Sequence, residues 1–102
     1  MLKTSYTYIM TNPGQNVLYV GVTDNLLKRA FQHKCGFYPN SFTSRYNCVC
    51  LVYYEQFYSI KKAIKREKQL KNWKRQWKLD LIKAYNPDFE DLYFEVKKFN
   101  LT

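Results

Sequence analysis

The sequence contains few acidic residues and a single histidine, His33. Its 8 Asp and Glu residues are outnumbered by 17 Lys and Arg residues, which gives a formal net charge of +9 at pH 7. No apolar run approaches the ~20 residues that a membrane-spanning helix needs, and the N-terminal segment lacks the basic region and long apolar core of a secretory signal. We therefore expect a cytoplasmic protein without a membrane partner.

Cysteine is scarce too, because only Cys35, Cys48 and Cys50 are present. An odd number outside a secretory context argues against a disulfide framework. The spacing of His33 and Cys35, followed by Cys48 and Cys50, imitates a zinc site. Zinc-binding cysteines are more often separated by about two to four residues, however, and lone cysteines often pack as small buried side chains. We favour the second interpretation.

The chain also lacks internal repeats, low-complexity tracts and linkers, and 46% of its residues are hydrophobic, unlike a disordered segment. We expect a single domain over residues 1–102, with a core over about residues 5–92 and a C-terminal tail over residues 93–102. The excess of positive charge predicts a polyanionic partner, most often nucleic acid, because binding releases condensed counterions.

The hydrophobic periodicity predicts an α/β (α+β) fold with a three-stranded, mainly antiparallel sheet flanked by helices. Strands are expected at residues 6–10, 18–22 and 50–57, the first two joined into a hairpin by a turn at residues 11–16. Helices are expected at about residues 25–34, 60–71 and 73–85, and residues 36–47 are predicted to form a loop. Thr23 or Asp24 is expected to cap the first helix, and Ser59 the second.

Each helix carries an apolar stripe that we expect to face the core. The stripes consist of Leu26, Leu27, Ala30 and Phe31, of Ile60, Ala63, Ile64 and Leu70, and of Trp73, Trp77, Leu81 and Ala84. The tryptophans are therefore interpreted as core residues rather than as platforms for base stacking.

Glu67 falls near the middle of the second stripe when residues are placed at about 100° each around the helix. A carboxylate at a core-facing position costs several kcal/mol unless it is paired, protonated or bound to a metal. The alternative is a Glu at the edge of a groove, bonded to a neighbouring Lys or Tyr.

The other faces of the second and third helices are dense with Lys and Arg, a pattern that attracts phosphate. Together with one residue of the first helix, they supply the candidate nucleic-acid contacts Lys28, Lys61, Lys65, Arg66, Lys68, Lys71, Lys74 and Arg75.

Five polar groups can carry chemistry. Tyr8 and Tyr19 lie on paired strands, Arg29 and His33 lie one turn apart beside the apolar arc of the first helix, and Glu67 faces inward. Phosphodiester hydrolysis needs a base that activates water, a cation that holds phosphate oxygens and a metal that neutralises the leaving oxygen. Arginine binds phosphate in a bidentate manner, a carboxylate holds Mg²⁺, and tyrosine can act as a base with help from histidine.

The residues YTY (Tyr6–Tyr8) and YVG (Tyr19–Gly21), with ten residues between them, resemble the paired signature of the GIY-YIG nuclease superfamily. The segment GVTDNLLKRAFQH resembles its G-x-T-x-[DN]-L-x-x-R-x-x-x-H pattern. LVYYE and AIKREKQLKNWKRQWKLDLI resemble the third strand and the Glu-bearing helix of its small, single-domain bacterial endonuclease branch, which is related to the nuclease domain of the bacterial excision-repair nuclease. The resemblance covers about residues 5–92, although Tyr6 replaces the first glycine of the signature.

The resemblance implies a metal-dependent endonuclease that hydrolyses DNA phosphodiester bonds in DNA repair or processing, with Mg²⁺ or Mn²⁺ as the cation. Tyr8 matches the general base, and Tyr19 matches the residue that orients water or phosphate. Arg29 matches the phosphate-binding arginine, and His33 matches a residue that assists proton transfer. Glu67 matches the metal-binding glutamate, in agreement with its inward placement.

Many members of this superfamily carry a catalytic-site asparagine after the Glu-bearing helix, and neither Asn72 nor Asn86 matches it unambiguously. Two other classes of function stay open at this point. The same fold can serve as a non-catalytic, basic nucleic-acid-binding module, or its basic helices can dock an acidic protein partner.

Overall fold

A computed structural model describes residues 3–100 of the chain, and that range contains three strands and five helices. In chain order they are β1 (Ser5–Thr11), β2 (Leu18–Thr23), α1 (Leu26–Lys34), α2 (Phe42–Arg45), β3 (Cys50–Phe57), α3 (Ile60–Asn72), α4 (Arg75–Tyr85) and α5 (Tyr93–Asn100). Strand β1 lies between β2 and β3 and pairs antiparallel with both. The predicted fold class is confirmed.

The β1–β2 hairpin fixes the register of the sheet. Asn12 closes its turn, because the Asn12 Oδ1 atom accepts the backbone N–H groups of Asn16 and Val17, each at 3.0 Å. The register that follows places Tyr8 directly opposite Gly21.

The core consists of two clusters. One contains Tyr8, Met10, Leu26 and Ala30, and the other contains Ile9, Val20, Val52, Leu70 and Ile82. Because consecutive strand residues such as Tyr8 and Ile9 point to opposite faces of a sheet, the two clusters lie on opposite sides of β1. Helix α5 adds Tyr93 and Val96 to the first cluster, so part of the segment expected as a tail is helical and buried.

The predicted apolar stripe of α4 is wrong at Trp77 and Ala84, which are exposed, Trp77 by 51%. Ile82 is the residue that α4 buries. The reason is the start of the helix: Trp73 lies before α4 in an extended conformation (φ −70°, ψ 150°), so Trp73 and Trp77 do not share one helical face. Instead, the Trp77 ring packs against the edge of Trp73, with ring centroids 6.1 Å apart.

Phe31 and Ile60 were also expected in the core, and both are exposed, by 52% and 47%. Helix α1 buries Leu26, Ala30 and His33 instead, a spacing of four and three residues that turns Phe31 towards solvent. Ile60 is the first residue of α3 and lines a concave surface rather than the core.

Two of the expectations about helix ends and loops need correction. The N-cap of α1 is Asn25 rather than Thr23 or Asp24, because the Asn25 Oδ1 atom accepts the Lys28 N–H at 3.1 Å. Residues 36–47 are not only loop, since they contain the four-residue helix α2. The Ser59 cap of α3 is confirmed. Over the described range, none of the helices is both long and apolar enough to span a bilayer.

Candidate active site

The single histidine packs against the central strand and holds a tyrosine hydroxyl. The buried Tyr8 Oη atom lies 2.8 Å from the His33 Nε2 atom. The other ring nitrogen, His33 Nδ1, lies 2.8 Å from the Thr43 Oγ1 atom of α2. His33 is 9% exposed and belongs to the buried face of α1 rather than lying beside it. Hydrogen bonds at both nitrogens therefore fix the orientation of the imidazole.

Tyr19 completes a group of three rings. Its ring centroid lies 6.3 Å from that of Tyr8 and 5.5 Å from that of His33. On its other side Tyr19 stacks on Phe42, with centroids 5.8 Å apart and an interplanar angle of 29°. Tyr8, Tyr19 and His33, three of the five candidate residues, are therefore in contact with one another.

Gly21 makes room for the Tyr8 ring. A Cβ atom on Gly21 would lie 2.5 Å from Tyr8 Oη and 2.6 Å from Tyr8 Cζ, far inside van der Waals contact. Only glycine therefore allows Tyr8 to lie across β2 in this position. The spacing of the YVG motif drew attention to Gly21, but its physical role follows from the strand register alone.

Arg29 and Glu67 act electrostatically on the Tyr8 hydroxyl. Burial raises the pKa of Tyr8 well above its ordinary value, Tyr19 and Glu67 add to this rise, and the nearby Arg29 guanidinium opposes it. Burial and then the Arg29 charge lower the pKa of His33 from 6.5 to about 4. At neutral pH the pair is therefore a neutral phenol beside a neutral imidazole.

Glu67 is the group that can hold a cation. Its carboxylate is partly buried, and the Lys71 ammonium one turn later lies 3.6 Å away. Mg²⁺ is typically bound by one or two carboxylates, several waters and substrate phosphates, so a single carboxylate within electrostatic reach of Tyr8 fits this ion.

A zinc site does not assemble from His33 and the cysteines. Cys48 is fully buried and Cys35 is exposed, and His33 uses both ring nitrogens for hydrogen bonds. Among residues 3–100, the structure groups no three His, Cys, Asp or Glu side chains closely enough to hold a metal ion. A structural zinc ion needs four such ligands.

Arg29 lies where two concave surfaces meet. The larger, of about 610 Å³, is also lined by Lys3 and Lys61, and the smaller, of about 220 Å³, is also lined by Lys28. Two of the predicted nucleic-acid contacts, Lys28 and Lys61, therefore flank the arginine that is expected to bind phosphate.

The remaining basic candidates are exposed, with one exception. The exposed residues are Lys65, Lys68, Lys71, Lys74 and Arg75. Arg66 is partly buried, and its Nε and Nη2 atoms donate to the Glu55 carboxylate at 3.0–3.1 Å. Its guanidinium also lies over the Trp73 ring. Arg66 therefore connects α3 to β3 and is not a free phosphate-binding group.

The two candidate asparagines make no hydrogen bond to Tyr8, Tyr19 or His33 within the described part of the chain. The buried Asn86 Nδ2 atom donates to the carbonyls of Val52 (3.1 Å) and Glu90 (2.8 Å), and its Oδ1 atom accepts the Glu90 N–H (3.0 Å). These bonds fix the chain after α4. Asn72 is exposed at the end of α3. Thr43, by contrast, contacts the site directly, and no sequence signal marked it.

Comparisons with known proteins identify what the chain is similar to. Residues 4–80 match the model of the GIY-YIG catalytic domain. A UPF0213 protein of Syntrophus aciditrophicus (strain SB) is 37% identical over 87 residues, covering 85% of this chain and 98% of that protein. A UPF0213 protein of Staphylococcus haemolyticus (strain JCSC1435) is 38% identical over 77 residues, covering 76% of this chain and 92% of that protein. No solved structure matches the chain.

Proposed function

The chain belongs to the GIY-YIG family, whose catalytic domain implies nuclease-type activity, and we propose that it is a metal-dependent endonuclease that hydrolyses DNA phosphodiester bonds. The observation that carries the proposal is the 2.8 Å hydrogen bond between Tyr8 and His33, within electrostatic reach of Arg29 and Glu67. This arrangement pairs a proton acceptor with a phosphate-binding cation and a metal-binding carboxylate.

In the proposed reaction, Arg29 holds the scissile phosphate and Tyr19 orients the attacking water. The Tyr8 oxygen takes a proton from that water as its own proton passes to His33 Nε2. The water oxygen forms its bond to phosphorus while the bond to the leaving oxygen breaks, and the leaving oxygen takes a proton from solvent. The phosphate also brings negative charge beside Arg29, which weakens one of the two effects that lower the pKa of His33.

Glu67 is the residue that would hold a divalent cation, Mg²⁺ or Mn²⁺. When bound, the cation supplies positive charge that stabilises the leaving oxygen and the phosphate in the transition state. The Lys71 ammonium, which lies 3.6 Å from the Glu67 carboxylate, would then be available to a second phosphate.

The test is cleavage of labelled duplex, nicked, flapped, branched and single-stranded DNA, and of matched RNA, with Mg²⁺, Mn²⁺ or EDTA. We expect metal-dependent cleavage that Glu67→Gln and Arg29→Ala each abolish while the far-UV spectrum is unchanged. Glu90→Gln, at an exposed carboxylate that is not among the groups acting on Tyr8, is the matched control and should cleave as the wild type does. A preference for nicked or flapped DNA would support a role in DNA repair or processing.

A Glu67→Gln variant with wild-type activity would refute the assigned role of Glu67. Tight, salt-sensitive binding without cleavage on any substrate would instead favour the non-catalytic nucleic-acid-binding module. Binding of neither DNA nor RNA would leave an acidic protein as the partner of the basic helices.

A further inference from the structure

Thr43 is a buried hydroxyl group that the proposed reaction does not use. It is 2% exposed, and it belongs to α2 in the segment that joins α1 to β3. Its Oγ1 atom lies 2.8 Å from His33 Nδ1 and 3.2 Å from Ser41 Oγ. A hydroxyl can donate or accept, so these distances alone allow two directions for the chain of hydrogen bonds.

In one direction, every donor in the chain of hydrogen bonds has an acceptor. The Tyr8 hydroxyl donates to His33 Nε2, and His33 Nδ1–H donates to Thr43 Oγ1. The Thr43 hydroxyl then donates to Ser41 Oγ, which also accepts the backbone N–H of Ser44 at 3.3 Å. The chain ends at Ser41, which is partly exposed and can donate its own proton to solvent.

The opposite direction fails at Tyr8. There, Thr43 would donate to Nδ1 and His33 Nε2–H would donate to the Tyr8 oxygen. Besides His33, the side chain that hydrogen-bonds to this oxygen is Arg29, which has donors only, whereas Tyr19 and Glu67 act on it electrostatically. Two donors would then point at Tyr8, and its own buried hydroxyl proton would lack an acceptor among these hydrogen-bonding partners, which is unfavourable.

We infer that Thr43 is a positioning residue that sets the tautomer of His33, with the proton on Nδ1 and the lone pair on Nε2 facing Tyr8. This inference rests on the proposed function for its catalytic meaning, because only that tautomer can accept the Tyr8 proton. The tautomer itself is independent of any activity. Thr43 therefore acts through His33 and touches neither the phosphate nor the attacking water.

The tautomer can be measured directly, because His33 is the only histidine in the chain. In ¹⁵N-labelled protein, long-range ¹H–¹⁵N correlations distinguish a protonated ring nitrogen from an unprotonated one. We expect the wild type and Thr43→Ser to show Nδ1–H alone at neutral pH. The nearly isosteric Thr43→Val should show a mixture of tautomers. A wild-type spectrum with Nε2–H would overturn the inference, whether or not the variants fold.

Activity provides a second, separate readout. We expect Thr43→Val to lower kcat by about 10- to 100-fold with unchanged affinity for DNA, and Thr43→Ser to restore most of the loss. A Thr43→Val variant with altered tautomer and wild-type kcat would overturn the positioning role. If the wild type cleaves no substrate, the proposed function fails, while the wild-type NMR spectrum still decides whether the assigned tautomer is correct.

Discussion

Replacing Gly21 by alanine tests whether the buried Tyr8 ring is as confined as its contacts indicate. A Cβ atom at this position would lie 2.5 Å from Tyr8 Oη, whereas ordinary van der Waals contact begins near 3.4 Å. The ring must therefore retreat by about 1 Å from a position in which it is buried, and overpacking of this kind costs about 1–3 kcal/mol. Displacing Oη also weakens its hydrogen bond to His33, which adds about 1 kcal/mol.

The assay is urea unfolding followed by circular dichroism. Gly21→Ala should lower the midpoint urea concentration with an unchanged m-value, because the surface exposed on unfolding stays the same. Gly14→Ala is the matched control, since its Cβ would meet only flexible Asn side chains at 3.4–3.5 Å in an exposed turn. This control should stay within about 0.5 kcal/mol of the wild type. If Gly21→Ala is equally harmless, the Tyr8 ring is free to move and the rigid Tyr8–His33 pair is not a property of the fold.

Three further predictions concern other residues. His33 has a folded-state pKa of about 4 against an ordinary 6.5, so the unfolded chain binds its proton first as the pH falls. The free energy of unfolding should therefore reach its plateau above pH 6.5 and fall by about 3 kcal/mol at pH 4. This loss is counted beyond the loss that a His33→Gln variant shows over the same pH range. Asn86→Ala should lower the free energy of unfolding by about 1–3 kcal/mol and leave kcat of the folded protein unchanged; a large loss of kcat would assign Asn86 to the chemistry instead. Lys68→Ala should reduce the slope of log K against log salt concentration for DNA binding by about 1. Arg66→Ala should mainly lower thermal stability, because it breaks the ion pair with Glu55. Equal salt slopes in the two variants would contradict these different roles.

The sequence predicted those parts of the fold that follow from local periodicity. The three strands and the three longer helices through residue 85 show clear periods of two or 3.6 residues, and their positions were correct to within one or two residues. Helix α2 was missed because four residues form a single turn and show no period. The misplaced Trp77 has a related cause, since its stripe was counted from Trp73 across a helix boundary that apolar spacing does not reveal.

The candidate site divides in the same way. The interaction of Glu67 with Tyr8 depends on how α3 packs on the sheet, which residue spacing does not reveal. Only the resemblance to a family assigned both residues to one site. Thr43 and the close approach of Gly21 to Tyr8 depend on contacts between segments that lie apart in the sequence. No local pattern encodes such contacts, because each residue is ordinary within its own segment.

The position of β1 between the other two strands also determines when the site can exist. The hairpin and α1 carry Tyr8, Tyr19, Arg29 and His33, whereas Thr43 and Glu67 follow later in the chain. Strand β3 pairs with β1, although β2, α1 and α2 lie between them in the sequence. This long-range pairing precedes the packing of α3 on the sheet and is slow compared with hairpin formation. In a chain emerging from the ribosome, the half that we propose binds phosphate is therefore available first, and the half that we propose binds the metal is added only once α3 has packed. We expect partly folded chains to bind nucleic acid without cutting it.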